Sequence, residues 1–329
     1  MRPSAANHRR SGFVLVLVLG MVILMSGLLF GFSHKTRASL AAADGFRQSE
    51  QALNCARAGL QLAISVIRDT NDLGADPRLD KLRNGKAEFA VGAGACTLKI
   101  TEEGGRLNVN TLKDKHGRID RKRVDQFLKL IDLLNRQQPQ DQRIGYGLAP
   151  AIIDWTDADD QVTYLPFIKV ENSGAESSYY GGLNPPYPCM NGPIDVLDEL
   201  LQVRGMTPQF LGRLREFLTT TGDGRININA APQLVIECLA EPMDATLAQM
   251  IVQQRRLKPF KNVTELRDVP GMTDNVFAAI QDSVAVGAGE RYYRVRAQGN
   301  VADRHCRVEA VLRKNPQAAN VDVILYRES

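Results

Sequence analysis

Five carboxylates in the middle of the chain have the residue types and the crowding of a metal site. Four aspartates lie within the segment IIDWTDADD, and a glutamate follows beyond a glycine-containing loop; they are Asp154, Asp157, Asp159, Asp160 and Glu176. Carboxylates this close repel one another unless a cation neutralises them, and Ca²⁺ accepts six to eight oxygen ligands at flexible geometry. We therefore predict a calcium site with Asp157, Asp159, Asp160 and Glu176 as candidate ligands.

The acidic segment also has a simpler explanation. Its spacing is not that of an EF-hand loop. Asp157 is suited to cap a helix, and Asp159 and Asp160 are suited to face water without binding a metal. The sequence of this segment fits both interpretations.

The other reactive side chains do not form a recognisable catalytic group. The four histidines lack metal-ligand spacing, and the serines lack the context of a nucleophile elbow. The five cysteines are widely separated without a C-x-x-C pair, which argues against zinc and thioredoxin-type chemistry. Cys96 and Cys306 lie in strand-like segments and could form a disulfide in an oxidising compartment, but buried unpaired cysteines fit equally well. The sequence predicts a protein that is not an enzyme.

Length and charge limit the possible classes of protein. A chain of 329 residues is longer than one ordinary domain, so more than one folded unit is expected. The net charge of +4 comes from 41 basic and 37 acidic residues, and no basic tail is present that would indicate nucleic-acid binding.

The N-terminal segment is long enough to cross a membrane. Residues 13–32 carry no charge, and about 20 helical residues span the hydrocarbon core of a bilayer. The basic residues on the two sides are nearly balanced, so the positive-inside rule does not give the orientation. A cleavable secretory signal would have a shorter apolar stretch, and a plain membrane anchor would retain Met1.

The boundary before this segment resembles that of a prepilin. The polar leader MRPSAANHRRSG ends at Gly12, and the apolar segment begins abruptly at Phe13. This resemblance implies cleavage between these two residues by prepilin peptidase, retention of the helix and methylation of Phe13. Most prepilins have a glutamate at the fifth mature position, where this chain has Leu17. An intramembrane carboxylate is costly unless it pairs with a charge, so its absence suggests a subunit with no neighbouring amine to neutralise.

Hydrophobic periodicity predicts a long helix and several strands, and the prepilin resemblance implies that they form an α+β fold of the pseudopilin type. Apolar residues at helical spacing follow the span, namely Leu53, Ala56, Leu60, Ile64 and Ile67. Alternating patterns predict strands in ACTLKI and in the two C-terminal segments RYYRVRAQGNVADRHCRVEAVLRK and VDVILYRE. We expect a long N-terminal helix packed on a small antiparallel sheet with a large inserted all-α domain. The predicted domains are a leader (1–12), a transmembrane helix (13–33), the rest of the helix with the first strands (34–109), the insert (110–288) and the C-terminal strands (289–329).

An internal repeat organises the insert. GRLNVNTL recurs as GRININAAP, and DELLQVRGMT recurs as TELRDVPGMT. The two copies, 105–207 and 224–273, resemble helix-hairpin-helix and SAM-like modules. Such hairpins can bind a phosphate, so the alternative function is a membrane-anchored DNA-binding protein of the competence-receptor type. The hairpins are not followed by lysine-rich segments, although QQRRLKPFK lies nearby, and nucleic-acid binding is not expected.

Several motifs, taken in order, resemble those of the minor pseudopilin K family of type II secretion systems, the general secretion pathway protein K family. They are GRLNVNTL, IIDWTDADD, GAESSYYGGLNPPYPCMNGPIDVLDELLQVRGMT and GRININAAPQLV. The resemblance implies a complex with the I and J minor pseudopilins, further contact with the H and G pseudopilins, and capping of the pseudopilus that exports folded proteins. It also implies calcium in the insert and a single span in the inner membrane of a Gram-negative bacterium, in contact with its lipid, with the C-terminal domain in the periplasm.

Overall fold

The computed structural model describes residues 8–70, 79–114, 116–286, 291–315 and 320–329. The helices in these ranges are α1 (His8–Asp69), α2 (Asp80–Arg83), α3 (Arg121–Asn135), α4 (Leu148–Thr156), α5 (Ser177–Gly181), α6 (Pro208–Leu214), α7 (Gln233–Glu237), α8 (Ala245–Leu257) and α9 (Asp274–Ile280). The strands are β1 (Ala87–Val91), β2 (Gly94–Glu102), β3 (Leu107–Asn108), β4 (Leu218–Thr219), β5 (Ile226–Asn227), β6 (Val284–Ala285), β7 (Arg291–Val301), β8 (Arg304–Lys314) and β9 (Val321–Glu328).

The N-terminal helix is continuous from the apolar span to the folded domain. α1 contains 62 residues, which corresponds to about 93 Å at 1.5 Å per residue. Its apolar first part is exposed, whereas the later stripe of Ala52, Ala56, Leu60, Ala63 and Ile67 is buried. The residues before His8 lie outside the described ranges, so most of the predicted leader is not covered. The prediction of one long helix that lays its second half on a sheet is confirmed.

The sheet is antiparallel, with strand order β1-β2-β7-β8-β9. Its inner face packs so closely on α1 that a Cβ atom added to Gly299 would lie 1.9 Å from the backbone oxygen of Ala52. Cys96 and Cys306 both pair with Gly299, from opposite sides. Two strand spacings, roughly 10 Å, therefore separate these cysteines, which is too far for a disulfide. All five cysteines are free; four are buried and Cys306 is partly buried.

The segment between β2 and β7 forms a second unit with its own hydrophobic core. This core is separate from the one that α1 shares with the sheet. The unit is mainly helical, but it also contains two short parallel strand pairs, β3 with β4 and β5 with β6. The expectation of an all-α insert is corrected to this extent, because residues of the two G-R-x-N-x-N segments form β3 and β5.

The two repeat copies have the same internal architecture. In the first copy, the Asn110 side chain accepts a hydrogen bond from the Ile194 N–H (2.9 Å) and donates one to the Ile194 carbonyl (2.9 Å). In the second copy, Asn229 makes the same pair of bonds with Phe260, at 3.0 and 2.9 Å. These asparagines therefore serve as structural clamps, which explains why the motif occurs twice.

A buried ionic cluster joins the insert to the sheet. Glu103, directly after β2, is fully buried. It accepts hydrogen bonds from Arg294 on β7 (3.0 and 3.1 Å), from Arg106 (2.6 Å) and from the Thr219 hydroxyl on β4 (2.7 Å). Both arginines are themselves buried; Arg106 pairs with this carboxylate, whereas Arg294 is shared between Glu103 and Glu309.

We expect Glu103→Ala to lower the free energy of unfolding by about 3–5 kcal/mol, because the change removes the ion-pair partner of the buried Arg106 and leaves the buried Arg294 with Glu309 alone. Urea unfolding of the detergent-solubilised chain measures the effect. Glu88→Ala, at an exposed position of β1, is the matched control and should change the unfolding free energy by less than about 0.5 kcal/mol. Equal effects of the two substitutions would show that the cluster does not stabilise the junction.

Candidate metal site

The acidic segment lies at the end of a buried helix. α4 is apolar and is buried from Leu148 to Trp155. Asp154 is in its last turn, Asp157 follows its last residue, and Glu176 immediately precedes α5. The site therefore joins the end of α4 to the start of α5.

Three carboxylates converge at this point. One oxygen from each of Asp154, Asp157 and Glu176 lies within 4.8 Å of the others. Asp154 and Glu176 are almost completely buried, at 0% and 1% exposure. Asp154 Oδ2, Asp157 Oδ1 and both Glu176 carboxylate oxygens have no hydrogen-bond partner in the described part of the chain. Since a buried polar atom without a partner is costly, this set of oxygens fits a bound cation.

The titration of the cluster points to the same conclusion. Burial, followed by the neighbouring Asp154 and Asp157 carboxylates, raises the pKa of Glu176 to about 7. Burial also raises the pKa values of Asp154 and Asp157, although hydrogen bonds from Thr163 and Lys113, respectively, oppose the shift. In the metal-free cluster Glu176 is therefore partly protonated at neutral pH. A divalent cation would displace this proton on binding.

The surrounding residues hold two of the carboxylates in place. The Thr163 N–H donates a hydrogen bond to Asp154 Oδ1 (2.9 Å), and Oδ2 has no partner among the described residues. Lys113 forms an ion pair with Asp157 Oδ2, and Oδ1 likewise has no partner there. A Cβ atom on Gly174 would lie 2.0 Å from Asp154 Oδ2. Only a residue without a side chain lets this loop close over the free oxygen.

Packed aromatic rings support the same region. Trp155, next to Asp154, makes an edge contact with Tyr180 of α5 at a centroid distance of 5.0 Å. Tyr187 packs against both rings, at 6.3 Å and 5.4 Å. These contacts fix α5, and with it Glu176, against the end of α4.

The cluster contains two of the four predicted ligands, Asp157 and Glu176. Asp159 and Asp160 lie outside it and are exposed, because the chain turns toward solvent after α4. Their side chains accept hydrogen bonds from the Gln161 N–H (2.9 Å) and the Ser177 N–H (3.3 Å). Asp154 takes their place in the cluster. The i,i+3 spacing of Asp154 and Asp157 could have indicated this, since residues so spaced lie on one face of a helix.

All three groups offer hard oxygen ligands, which suit Ca²⁺ or Mg²⁺ better than softer metals. Backbone carbonyls and water would have to complete the coordination of a calcium ion. Because its ligands come from the end of α4 and the start of α5, a cation bound here would connect these two elements.

The hairpins of the two repeats lack the features of a phosphate site. The Thr207 and Thr273 hydroxyls accept hydrogen bonds from the Phe210 and Val276 N–H groups at the starts of α6 and α9. These N–H groups are the ones that would otherwise bind a phosphate. α9 also begins with Asp274, whose carboxylate would repel an anion.

The arrangement of α1 and the sheet defines the class of protein. Within the described residues, α1 is the one helix long and apolar enough to cross a membrane, and its apolar window is not buried in the protein. A single-pass anchor that continues as a helix packed on an antiparallel sheet is the architecture of pilin-like subunits.

Comparison with known proteins specifies the family. Models described as type II secretion system (T2SS), protein K match residues 105–223 and 226–287, which together are more than half of the chain. The type II secretion system protein K of Aeromonas hydrophila is 25% identical over 322 residues, covering 92% of this chain and 93% of the relative. The protein of the same description from Klebsiella pneumoniae is 24% identical and covers 85% of this chain and 86% of the relative.

A solved structure shows the same fold. It is the crystal structure of the GspK–GspI–GspJ complex from enterotoxigenic Escherichia coli, with a TM-score of 0.67 and 18% identity over 88% of this chain and 99% of the matched chain. The chain belongs to the type II secretion system protein K family.

Proposed function

We propose that this protein is a minor pseudopilin that caps the tip of the periplasmic pseudopilus together with the I and J minor pseudopilins. At the tip it would initiate assembly and promote the export of folded proteins across the outer membrane. The observation that carries the proposal is the large insert between β2 and β7. This second unit makes the head too wide for another subunit to stack above it.

Two further features support the tip position. The membrane helix has Leu17 where filament subunits of this type have a carboxylate, so it offers nothing to pair with the N-terminal amine of a neighbour. The Escherichia coli relative was solved as a complex with GspI and GspJ. We further propose that the H and G pseudopilins contact this assembly below the tip.

The proposed topology follows from prepilin processing. Prepilin peptidase would cleave between Gly12 and Phe13 on the cytoplasmic side, and Phe13 would then be methylated. The span would remain in the inner membrane with the sheet and the insert in the periplasm. Gly12 and Phe13 both lie in α1, and Phe13 is exposed.

We also propose that the candidate metal site holds calcium, with Asp154, Asp157 and Glu176 as ligands. Support comes from the convergence of buried, unpartnered oxygens on one point. The ion would fix the acidic loop to α4 and α5 and take no part in catalysis, in keeping with a protein that is not an enzyme.

The test of the tip function is assembly. We expect the detergent-solubilised chain to form a complex of equal stoichiometry with the I and J partners and to remain unpolymerised alone, because its insert blocks stacking. Size-exclusion chromatography with light scattering measures both properties. Filaments of the chain alone, or an elution volume unchanged by both partners, would reject the tip function.

A further inference from the structure

A groove lined by cations lies on the face of the sheet that is turned away from α1. Its volume is about 570 Å³, and four cationic side chains line it: Lys99, Arg215, Arg296 and Arg307. Lys99 is on β2, Arg296 is on β7 and Arg307 is on β8. Arg215 follows α6 of the insert. The groove thus combines charges from both units of the protein.

Carboxylates in the groove do not balance these cations. Glu309 is the acidic residue in its lining, and its Oε1 accepts hydrogen bonds from Arg296 (3.2 Å) and from the buried Arg294 (3.0 Å). Asp198, next to the groove, is likewise shared between Arg215 and Arg327.

Lys99 has no counter-charge in the part of the chain that the structure describes. Within the ranges that the structure describes, its ammonium group forms no hydrogen bond or ion pair. Lys99 also lies directly opposite Arg296 in the β2–β7 register, and like charges in opposite positions destabilise a sheet. Arg307, opposite Gln298, donates a long hydrogen bond of 3.4 Å to that neutral amide oxygen. An anionic ligand would relieve this repulsion.

The position of the groove along α1 excludes the membrane surface as its ligand. Gly59 of α1 packs on Cys96 and Ala297, at the same level of the sheet as the groove. The uncharged span ends at Phe32, so roughly 40 Å of helix separates the groove from the bilayer at 1.5 Å per residue. Lipid headgroups are out of reach of a groove at this height.

We propose that this groove binds an extended acidic segment of another protein. The cations are spread over three strands and the insert, which suits carboxylates spaced along a peptide. The inference goes beyond the proposed tip function and does not depend on assembly with I and J.

Fluorescence anisotropy of a labelled hexaglutamate peptide, titrated with the detergent-solubilised full chain, tests the proposal. We expect saturable binding that weakens with added salt. The double variant Lys99→Gln/Arg307→Gln should weaken it by about 2- to 25-fold, since each surface charge pair contributes up to about a factor of five. The matched control Arg256→Gln/Lys258→Gln removes the same charge from the exposed end of α8 and should bind as the wild type does.

Three results would overturn the proposal: equal loss in both double variants, equal binding of a hexaglutamine peptide, or tighter binding of duplex DNA or anionic lipid vesicles than of hexaglutamate. Thermal melting of both variants shows whether a loss of binding reflects a loss of folding. Light scattering with the I and J partners measures the tip function separately, so failure of one proposal is distinguishable from failure of the other.

Discussion

Chelation of calcium is expected to lower the melting temperature of this protein by about 5–10 °C. Calcium at about 100 times its dissociation constant stabilises the folded state by about 2.7 kcal/mol, and about 1 kcal/mol shifts the melting temperature of a domain of this size by about 2–4 °C. The physical reason is that removal of the ion leaves Asp154, Asp157 and Glu176 facing one another in a buried site. Differential scanning fluorimetry of the full chain, with EGTA and with excess calcium, measures the shift.

Two matched substitutions identify the ligands. Asp154→Asn removes a charge from the cluster and should abolish the response to calcium. Asp159→Asn removes the same charge nearby, but its side-chain oxygen can still accept the hydrogen bond from the Gln161 N–H, so the response should persist. A response lost with Asp159→Asn and kept with Asp154→Asn would place the ion elsewhere, and a wild-type melting temperature unaffected by EGTA would reject the site.

The stabilisation by calcium should increase with pH. In the metal-free protein the pKa of Glu176 rises from its usual 4.5 to about 7, so the folded state binds the proton more tightly than the unfolded state does. This contribution to stability is fully present below pH 4.5 and is lost as the pH rises through about 7. The metal-free protein should therefore melt at lower temperature at pH 7.5 than at pH 5, and the difference between EGTA and calcium should widen over the same interval.

Substitution of Gly12 by valine is expected to abolish maturation completely. A peptidase that cleaves after a residue without a side chain has no room for a β-branched one. The variant should therefore retain residues 1–12, whereas the wild-type protein should begin at Phe13. Intact mass and N-terminal sequencing of protein extracted from the membrane of a Gram-negative host with prepilin peptidase measure the difference.

Gly20→Val is the control for the membrane helix. A side chain at Gly20 meets nothing within 4 Å, so this variant should be processed normally although it carries the same substitution within the span. A wild-type protein that begins at Met1 would indicate a plain anchor, and one that begins near Asp44 would indicate a secretory signal. Either result would exclude prepilin processing.

The elements with a long, regular pattern were predictable from sequence. The stripe that includes Ala56, Leu60 and Ile67 repeats at helical spacing, and the three residues are buried against the sheet. Cys96, Leu98 and Ile100 alternate with polar residues, and their side chains are fully buried on the inner face of β2. Such patterns report burial directly, because one face of each element must contact the core.

The details that were missed depend on contacts between distant segments. The strands β3 to β6 have two residues each, too few for a period to be visible. The set of metal ligands depends on where α4 ends, since Asp154 and Asp157 project from the helix end while Asp159 and Asp160 follow the turn to solvent. The distance between Cys96 and Cys306 depends on β7 lying between their strands, which local pattern does not reveal.

The position of the insert has a consequence for how the chain folds. Arg294 on β7 and Glu103 after β2 are in contact although 191 residues separate them along the chain. Closing a flexible loop of that length costs about 4–5 kcal/mol of chain entropy, so β2 and β7 pair at a disadvantage while the insert is unfolded. A folded insert already holds its two ends together and removes most of this cost. We therefore expect β2 and β7 to pair only once the insert has folded, which would make the completion of the sheet a late event in folding.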